Sequence, residues 1–355
     1  MATEQDITAL EPEERREQVW GALLAWYAAE GRAHLPWRET RDPYAILVSE
    51  VMLQQTQVER VLPKYRQFLA RFPTFAALAA EPVGEAIKAW AGLGYNQRAV
   101  RLHGIARQVV EEFDGQLPNT LDGLMALKGI GRYTAGAVAC FAFGLPVATV
   151  DTNIRRVLWR VFRGVEELPW PGGDSAARMF LELAEWALPR ERAYDWQQAL
   201  MDLGAQVCLA RRPLCERCPL REQCAAYAET AQVALFPSGE ALARLRDERA
   251  VGAERPVARR VAESGVPYGL APSPKRRATT TPFEQTSRYF RGRIVAALRE
   301  LPPGATLPLA TLGPRVKTDY TEADLPWLRE LARGLARDGL ARLSGADEDE
   351  ALALP

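Results

Sequence analysis

Four cysteines, Cys208, Cys215, Cys218 and Cys224, lie within seventeen residues in the spacing C-x6-C-x2-C-x5-C. Four thiolates in so short a loop suit a tetrahedral zinc ion or a [4Fe–4S] cluster. The opening stretch, MATEQDITALEPEERRE, is polar and acidic and does not read as a secretory signal. The thiols are therefore expected to hold metal rather than to form disulfides. Arg211, Arg212, Arg217 and Arg221 stand between them. These suit a surface that meets phosphates, and equally an offset to a cluster's negative charge. The fifth cysteine, Cys140, sits alone in an apolar run and reads as a small core residue.

Two carboxylates are out of keeping with their surroundings. Glu50 is set among Leu47, Val48, Val51, Met52 and Leu53. In that company it should be partly desolvated, which favours its protonated form and suits it to proton donation. The other reading puts Glu50 on a polar helix face together with Gln54, Gln55, Thr56 and Gln57. Asp151 is the one acidic residue between Leu127 and Gly164, against six Lys and Arg. A lone carboxylate in basic surroundings is a candidate for chemistry on DNA. Its plainer reading is a helix N-cap.

The elements around these residues follow from spacing. Leu127-Lys128-Gly129-Ile130-Gly131 has the form of a hairpin between two helices. Gly129 and Gly131 can take backbone conformations closed to other residues and carry no side chain to hold a phosphate away. The small apolar run 134–143 reads as a buried helix starting at that turn, where backbone N–H groups and the helix dipole form an anion site. Residues 146–149 then deliver Asp151 to a helix bearing Arg155, Arg156, Arg160 and Arg163. Upstream, residues 12–30 read as an amphipathic helix and residues 44–61 as an apolar one carrying Glu50. Residues 62–125 read as short helices punctuated by Pro and Gly, and residues 174–207 as helical.

The chain's 355 residues, 48% hydrophobic and 25% charged, allow two or three globular domains. No run has the length of a membrane span. With 45 basic and 45 acidic residues, any nucleic-acid site must be a local basic surface balanced elsewhere.

Taken together, LPWR (residues 35–38), DPY (42–44), SEVMLQQTQV (49–58), AWAGLGYNQRAVRLHGIA (89–106), the hairpin, YDWQQALMDLGAQVC (194–208) and the cysteine spacing resemble the MutY family of adenine DNA glycosylases. That family is a branch of the helix–hairpin–helix glycosylase superfamily. The resemblance implies that Glu50 is the catalytic acid, that Asp151 serves the flipped nucleotide, and that Asn153 orients the acid and the substrate. It implies that Gln55 lies against DNA near the lesion and that Tyr95 is a wedge between bases. Arg38 matches the family's LPWR motif at the DNA, Gly129 and Gly131 hold phosphate, and Gln198 reads adenine in the pocket. The four cysteines would hold one [4Fe–4S] cluster. The plainer readings are a core Tyr95, a first-turn Asn153 and an exposed Gln198. Two positions depart from the pattern. Asn96 replaces a second aromatic, and Thr152 stands where many members have Gly. Tyr133 stands where the bifunctional branch, typified by endonuclease III, has a Lys nucleophile. No Schiff base is expected by that route, and Tyr133 is expected to hydrogen-bond the catalytic groups.

The expected fold is all-α and two-lobed through residue 230. A six-helix lobe, 43–145, carries Glu50 and the hairpin; a second joins the N-terminal helix to 146–230 and holds the iron–sulfur loop. A cleft between them would receive the flipped nucleotide. Residues 231–283 read as a linker and 284–355 as a small winged-helix-like module, in place of the Nudix-like domain of better-known members. The expected activity is monofunctional removal of adenine mispaired with 8-oxoguanine or guanine in duplex DNA. The enzyme is expected as a monomer in the cytoplasm, associated with the nucleoid and not with a membrane. Two alternatives remain: a glycosylase of the same fold acting on thymine or uracil opposite guanine, and a non-catalytic DNA-binding iron–sulfur protein.

Overall fold

The computed structural model describes residues 12–164, 174–235, 282–346 and 349–355. Its helices are α1 (Pro12–Glu30), α2 (Pro43–Leu53), α3 (Val58–Arg71), α4 (Phe75–Ala80), α5 (Val83–Ala89), α6 (Gln97–Glu112), α7 (Leu121–Ala126) and α8 (Arg132–Phe141). Then follow α9 (Thr152–Arg163), α10 (Asp174–Trp186), α11 (Ala193–Gln206) and α12 (Ala225–Leu235). The C-terminal part holds α13 (Ser287–Arg299), β1 (Leu307–Pro308), α14 (Leu309–Val316), α15 (Leu325–Arg337), β2 (Arg342–Ser344) and β3 (Ala351–Ala353). Among the described residues no helix is long and apolar enough to cross a membrane. The chain divides into two units. One draws on Met1–His34 and Gly144–Arg276, the other on Leu35–Phe143 and Arg277–Pro355.

In the first unit α1 and α9 both pack on α11, and α12 packs on α9. Arg32, just past α1, meets Asp202 of α11, whose carboxylate is wholly buried. Its backbone N–H donates at 2.9 Å and its Nε at 2.8 Å. Trp20 of α1 donates to Ala187 O at 2.7 Å. A buried carboxylate held by two kinds of donor tolerates no shift of α1 along α11, so the pairing sets their register.

The second unit contains α2–α8. Asp42 caps α2 by accepting from Tyr44 N at 3.0 Å, and Pro43 stands in its first turn. Every residue from Tyr44 to Met52 is buried, because α2 is packed by both α3 and α8. Trp37 is a packing residue, edge-on to Tyr65 at 5.4 Å. The lobe expected to hold six helices holds seven among the described residues; Pro82, at the N-cap of α5, separates α4 from α5. Helix α2 ends at Leu53 and not near residue 61, because Gln55 adopts a left-handed backbone with φ 56°.

The C-terminal residues form three helices and a three-stranded antiparallel sheet in the order β1–β3–β2. Leu352 of β3 is paired with Leu307 and Leu343. With Ile294, Leu298, Leu312, Leu328 and Leu335 it belongs to the buried core. Helix–strand–helix–helix–hairpin is the winged-helix arrangement. The sequence shows α13, α15 and the hairpin but hides β1 and α14, whose Gly313 and Pro314 read as a loop. The module groups with the second unit. Pro355 O accepts from Gly84 N at 2.8 Å, and a Cβ at Gly84 would lie 2.7 Å from that oxygen. Arg299 donates from Nε to Ile87 O at 3.0 Å and from Nη2 to Asn96 Oδ1 at 2.8 Å. Of the expected linker, residues 231–235 belong to α12 and 282–283 precede α13; the rest lies outside the described residues.

Candidate functional site

Glu50 is the single carboxyl on α2 and is 7% exposed, so the reading of it as a polar-face residue does not hold. Gln55, just beyond the helix, is exposed. Tyr95 is likewise no core residue: it is 47% exposed, with φ 46°. Two non-glycine residues in left-handed backbone need support from around them. Arg98 supplies it. Its guanidinium donates to the carbonyls of Val51 (2.9 Å), Met52 (2.8 Å) and Gln54 (2.6 Å) on one side. On the other it donates to Leu93 O and Gly94 O, both at 3.1 Å, and it also reaches Thr56 Oγ1 at 3.0 Å. Arg98 is buried, which pushes its pKa down to about 10. It is a staple between the Gln55 and Tyr95 loops. Arg38 is half-buried beside Trp37. Asn96, the odd residue after Tyr95, is where Arg299 of the C-terminal module takes hold.

The hairpin joins α7 to α8. Leu127 and Ile130 are buried, while Lys128, Gly129, Gly131 and Arg132 are exposed. Gly129 has φ 98°, and a Cβ there would lie 2.6 Å from Arg101 Cγ, so this glycine is required by both conformation and space. Gly131 has φ −90°, open to any residue, and nothing lies within 4 Å of its would-be Cβ. Its use is therefore open approach rather than special backbone. It is the N-cap of α8, which has no side-chain cap. The first turn of α8 thus has no N-cap side chain on its N–H groups, as an anion site requires. Tyr133 lies half-buried in that turn, and Gln54 Nε2 stands 3.5 Å from Thr134 Oγ1.

In the first unit Asp151 is the N-cap of α9 and accepts from Ile154 N at 2.6 Å. Asn153 Nδ2 donates to the other Asp151 oxygen at 3.2 Å. Asn153 Oδ1 in turn accepts from Arg156 Nη2 at 2.8 Å. Arg156 continues to Gly204 O (2.6 Å) and, through Nε, to Cys208 O (2.8 Å). Burial raises the Asp151 pKa, against the pull of the Ile154 and Asn153 N–H groups and the Arg156 charge. A Cβ on Gly204 would lie 2.7 Å from Asn153 Cβ, so α11 can approach α9 only at a glycine. Gln197 accepts from Thr149 N at 2.9 Å and donates to Val147 O at 2.7 Å, holding the segment that leads to Asp151. Its neighbour Gln198 is buried, not exposed. The sequence did not reveal Gln197 or Gly204, though a lone Gly inside a helical pattern signals close approach.

The basic helix α9 differs from its expectation too. Arg155 lies over the Phe180 ring at 5.3 Å. Arg160 is buried, and reaches Cys208 Sγ (3.4 Å), Leu209 O (2.8 Å) and Ala210 O (2.9 Å). Arg160, with Arg156, organises the cysteine loop. Arg163 is exposed, as are Arg211, Arg212, Arg217 and Arg221 of the loop. From α1, Arg15 donates to Gln223 O at 3.1 and 2.9 Å.

Cys208 follows α11, Cys215 opens a short 3-10 turn, and Cys218 and Cys224 come after it. Burial, with neighbouring thiols adding to it, pushes Cys218 and Cys224 up to about 12. Burial also raises Cys215, with Cys208 adding to the effect. Thiols that raise one another share one space, and four thiolates so placed need positive charge between them. Among the described residues no three His, Cys, Asp or Glu side chains converge as ligands of one metal ion. Four thiolates are the donor set that a [4Fe–4S] cluster takes.

The HhH-GPD superfamily base excision DNA repair protein family matches residues 48–169. The iron–sulfur binding domain of endonuclease III matches residues 208–224. The adenine DNA glycosylase of Homo sapiens is 43% identical over 229 residues, covering 62% of this chain and 41% of the relative. That of Mycolicibacterium smegmatis is 42% identical over 237 residues, covering 66% and 76%. The chain spans less than half the length of the mammalian relatives it matches. A solved thermostable thymine-DNA glycosylase is 33% identical, with TM-score 0.56, covering 61% of this chain and 98% of that one. An endonuclease III in non-covalent complex with DNA shares the fold, at 23% identity and TM-score 0.51, over 65% and 100%. The fold, hairpin and cysteine loop define a helix–hairpin–helix DNA glycosylase of the [4Fe–4S] class. Within that class, the chain belongs to the adenine DNA glycosylase family.

Proposed function

We propose that this chain, acting as a monomer, hydrolyses the N-glycosidic bond of adenine mispaired with 8-oxoguanine or guanine in duplex DNA. The observation that carries the reading is Glu50, one carboxyl buried in an otherwise apolar helix that ends beside the exposed Gln55. Glu50 gives its proton to the purine ring, and the electrons of the breaking bond leave with the base. The Asp151 carboxylate stabilises the cationic sugar until water adds. Asn153 holds Asp151 in place, and Tyr133 supports the catalytic groups. Tyr133 offers no amine, so the sugar is not captured covalently by the lysine route. Gly129, Gly131 and the α8 N-terminus take a backbone phosphate; Gln55, Tyr95 and Arg38 face the duplex, and Gln198 the excised base. Cys208, Cys215, Cys218 and Cys224 hold the cluster, which when bound orders a basic loop for phosphates and takes no part in hydrolysis.

The likeness to a thymine-DNA glycosylase supports a second reading, release of thymine opposite guanine. One experiment separates the two. Cluster-loaded protein is given labelled duplexes with A·8-oxoguanine, A·G, G·T and G·U, each analysed with and without alkali. Adenine release, with strand breaks mainly after alkali, is the expected result. Thymine or uracil release alone would replace the substrate. Glu50→Gln is expected to slow release by roughly 10²–10⁴-fold while duplex binding persists; an active variant would remove the acid from this position.

A further inference from the structure

Tyr95 is an exposed aromatic on strained backbone, and the C-terminal module reaches it from the side. Arg299 grips the next residue, Asn96. Arg288, in the first turn of α13, is exposed, and its guanidinium carbon lies 5.2 Å from the Tyr95 ring centroid. The cations near the module's third helix are differently placed. Arg329 is paired with Glu350 at 2.5 Å, Arg333 with the same carboxylate at 3.7 Å, and Arg337 with Glu330 at 3.3 Å. Arg291 is paired with Asp338. In helix-turn-helix modules the recognition helix enters the major groove with its side chains free to meet DNA. Here the corresponding helix, α15, has its three arginines paired with two of the module's own carboxylates, Glu350 and Glu330. Among the described residues no carboxylate is paired with Arg288, and its guanidinium is beside the most exposed aromatic of the hairpin-bearing lobe.

We infer that Arg288 is a DNA-contacting residue, so that the C-terminal module meets the duplex through α13, beside the step that Tyr95 enters. The inference rests on the reading that Tyr95 faces DNA. The Tyr95 ring has the exposed Arg288 guanidinium over it, and the buried Arg98 at 5.6 Å; a ring that enters the duplex as a wedge carries the Arg288 guanidinium to a base edge and its flanking phosphates. Both are acceptors that Arg recognises. Tyr95 and Arg288 then form one edge built from two parts of the chain.

The test uses the full, cluster-loaded protein and duplexes with A opposite 8-oxoguanine, guanine, cytosine or thymine, with binding measured over a range of salt. Wild type, Arg288→Ala, Tyr95→Ala, the double variant and Arg342→Ala are compared; Arg342 is an exposed cation on β2 of the same module. Melting curves establish that each variant is folded. Arg288→Ala is expected to weaken binding about tenfold, with the double variant losing less than the product of the single losses. Uniform loss for every opposite base, with a log–log salt slope shallower by about one, assigns the contact to phosphate. Loss confined to 8-oxoguanine or guanine assigns it to the base edge. Either supports the inference. An Arg288→Ala protein that binds like wild type overturns it, as does an equal loss for Arg342→Ala. A wild type that fails to bind any mispaired duplex removes the reading of Tyr95 and the inference with it.

Discussion

Asp151 does two jobs with one carboxyl. One oxygen caps α9 through Ile154 N, and the other is held by Asn153. The proposed chemistry needs it ionised, yet burial raises its pKa. Activity is therefore expected to fall, as pH drops through that raised value, at a higher pH than an ordinary aspartate would give. A pH profile of single-turnover base release checks this. For stability the sign is opposite: above the raised pKa the ionised group costs stability, and the cost is relieved as pH falls through it. Asp151→Asn keeps a capping acceptor and removes the charge. It is expected to abolish release with a melting temperature equal to or above the wild type's. Arg98 gives the second prediction at this scale. A lysine there cannot reach both sets of carbonyls, so Arg98→Lys should cost about 2–4 kcal/mol in urea unfolding. Glu50 and Asp151 could be found in the sequence because each is chemically out of place among its neighbours. Arg98 could not, because its partners are backbone carbonyls up to 47 residues away, and a carbonyl leaves no mark in a sequence.

Among the elements, the pairing of α9 with α11 bears most directly on the site. Gly204 brings α11 against Asn153, and Arg156 runs from Asn153 to the backbone of Gly204 and Cys208. A methyl group at 204 must push Asn153 aside and turn the Asp151 carboxyl with it. Gly204→Ala is expected to slow base release about 10–100-fold, with cluster absorbance and duplex affinity close to wild type. Loss of cluster absorbance instead would place the fault in the cysteine loop. The helices themselves were largely legible, since hydrophobic spacing, Asp42-Pro43 and the hairpin glycines announce their own boundaries. The direction of the α9 arginines was not. A helix with four cations reads as an outer surface, but the cysteine loop supplied inward carbonyls and a sulfur for two of them.

For the whole molecule, the cysteine loop joins elements far apart in the chain. Arg15 of α1, Arg156 and Arg160 of α9, and the end of α11 all bind it. Cys224→Ser is expected to lower iron content and melting temperature together, and to weaken duplex binding through the exposed Arg211, Arg212, Arg217 and Arg221. Unchanged affinity in an iron-depleted variant would show that this loop is not the phosphate surface. The winged-helix module was only half legible, because its docking depends on surface pairs, Arg299 with Asn96 and Pro355 with Gly84, that no periodicity announces.

The Arg32–Asp202 pair joins residues 170 positions apart, and the unit it closes is interrupted by most of the other one. On a ribosome adding about 5–20 residues per second, α1 emerges some 10–30 s before its partner α11. During that interval its apolar stripe has only the nascent chain or a chaperone to cover it. The second unit in turn awaits residues made long after its hairpin, since Gly84 N donates to Pro355 O. Neither unit closes on its first-made elements alone, and iron loading waits for the cysteines that follow α11.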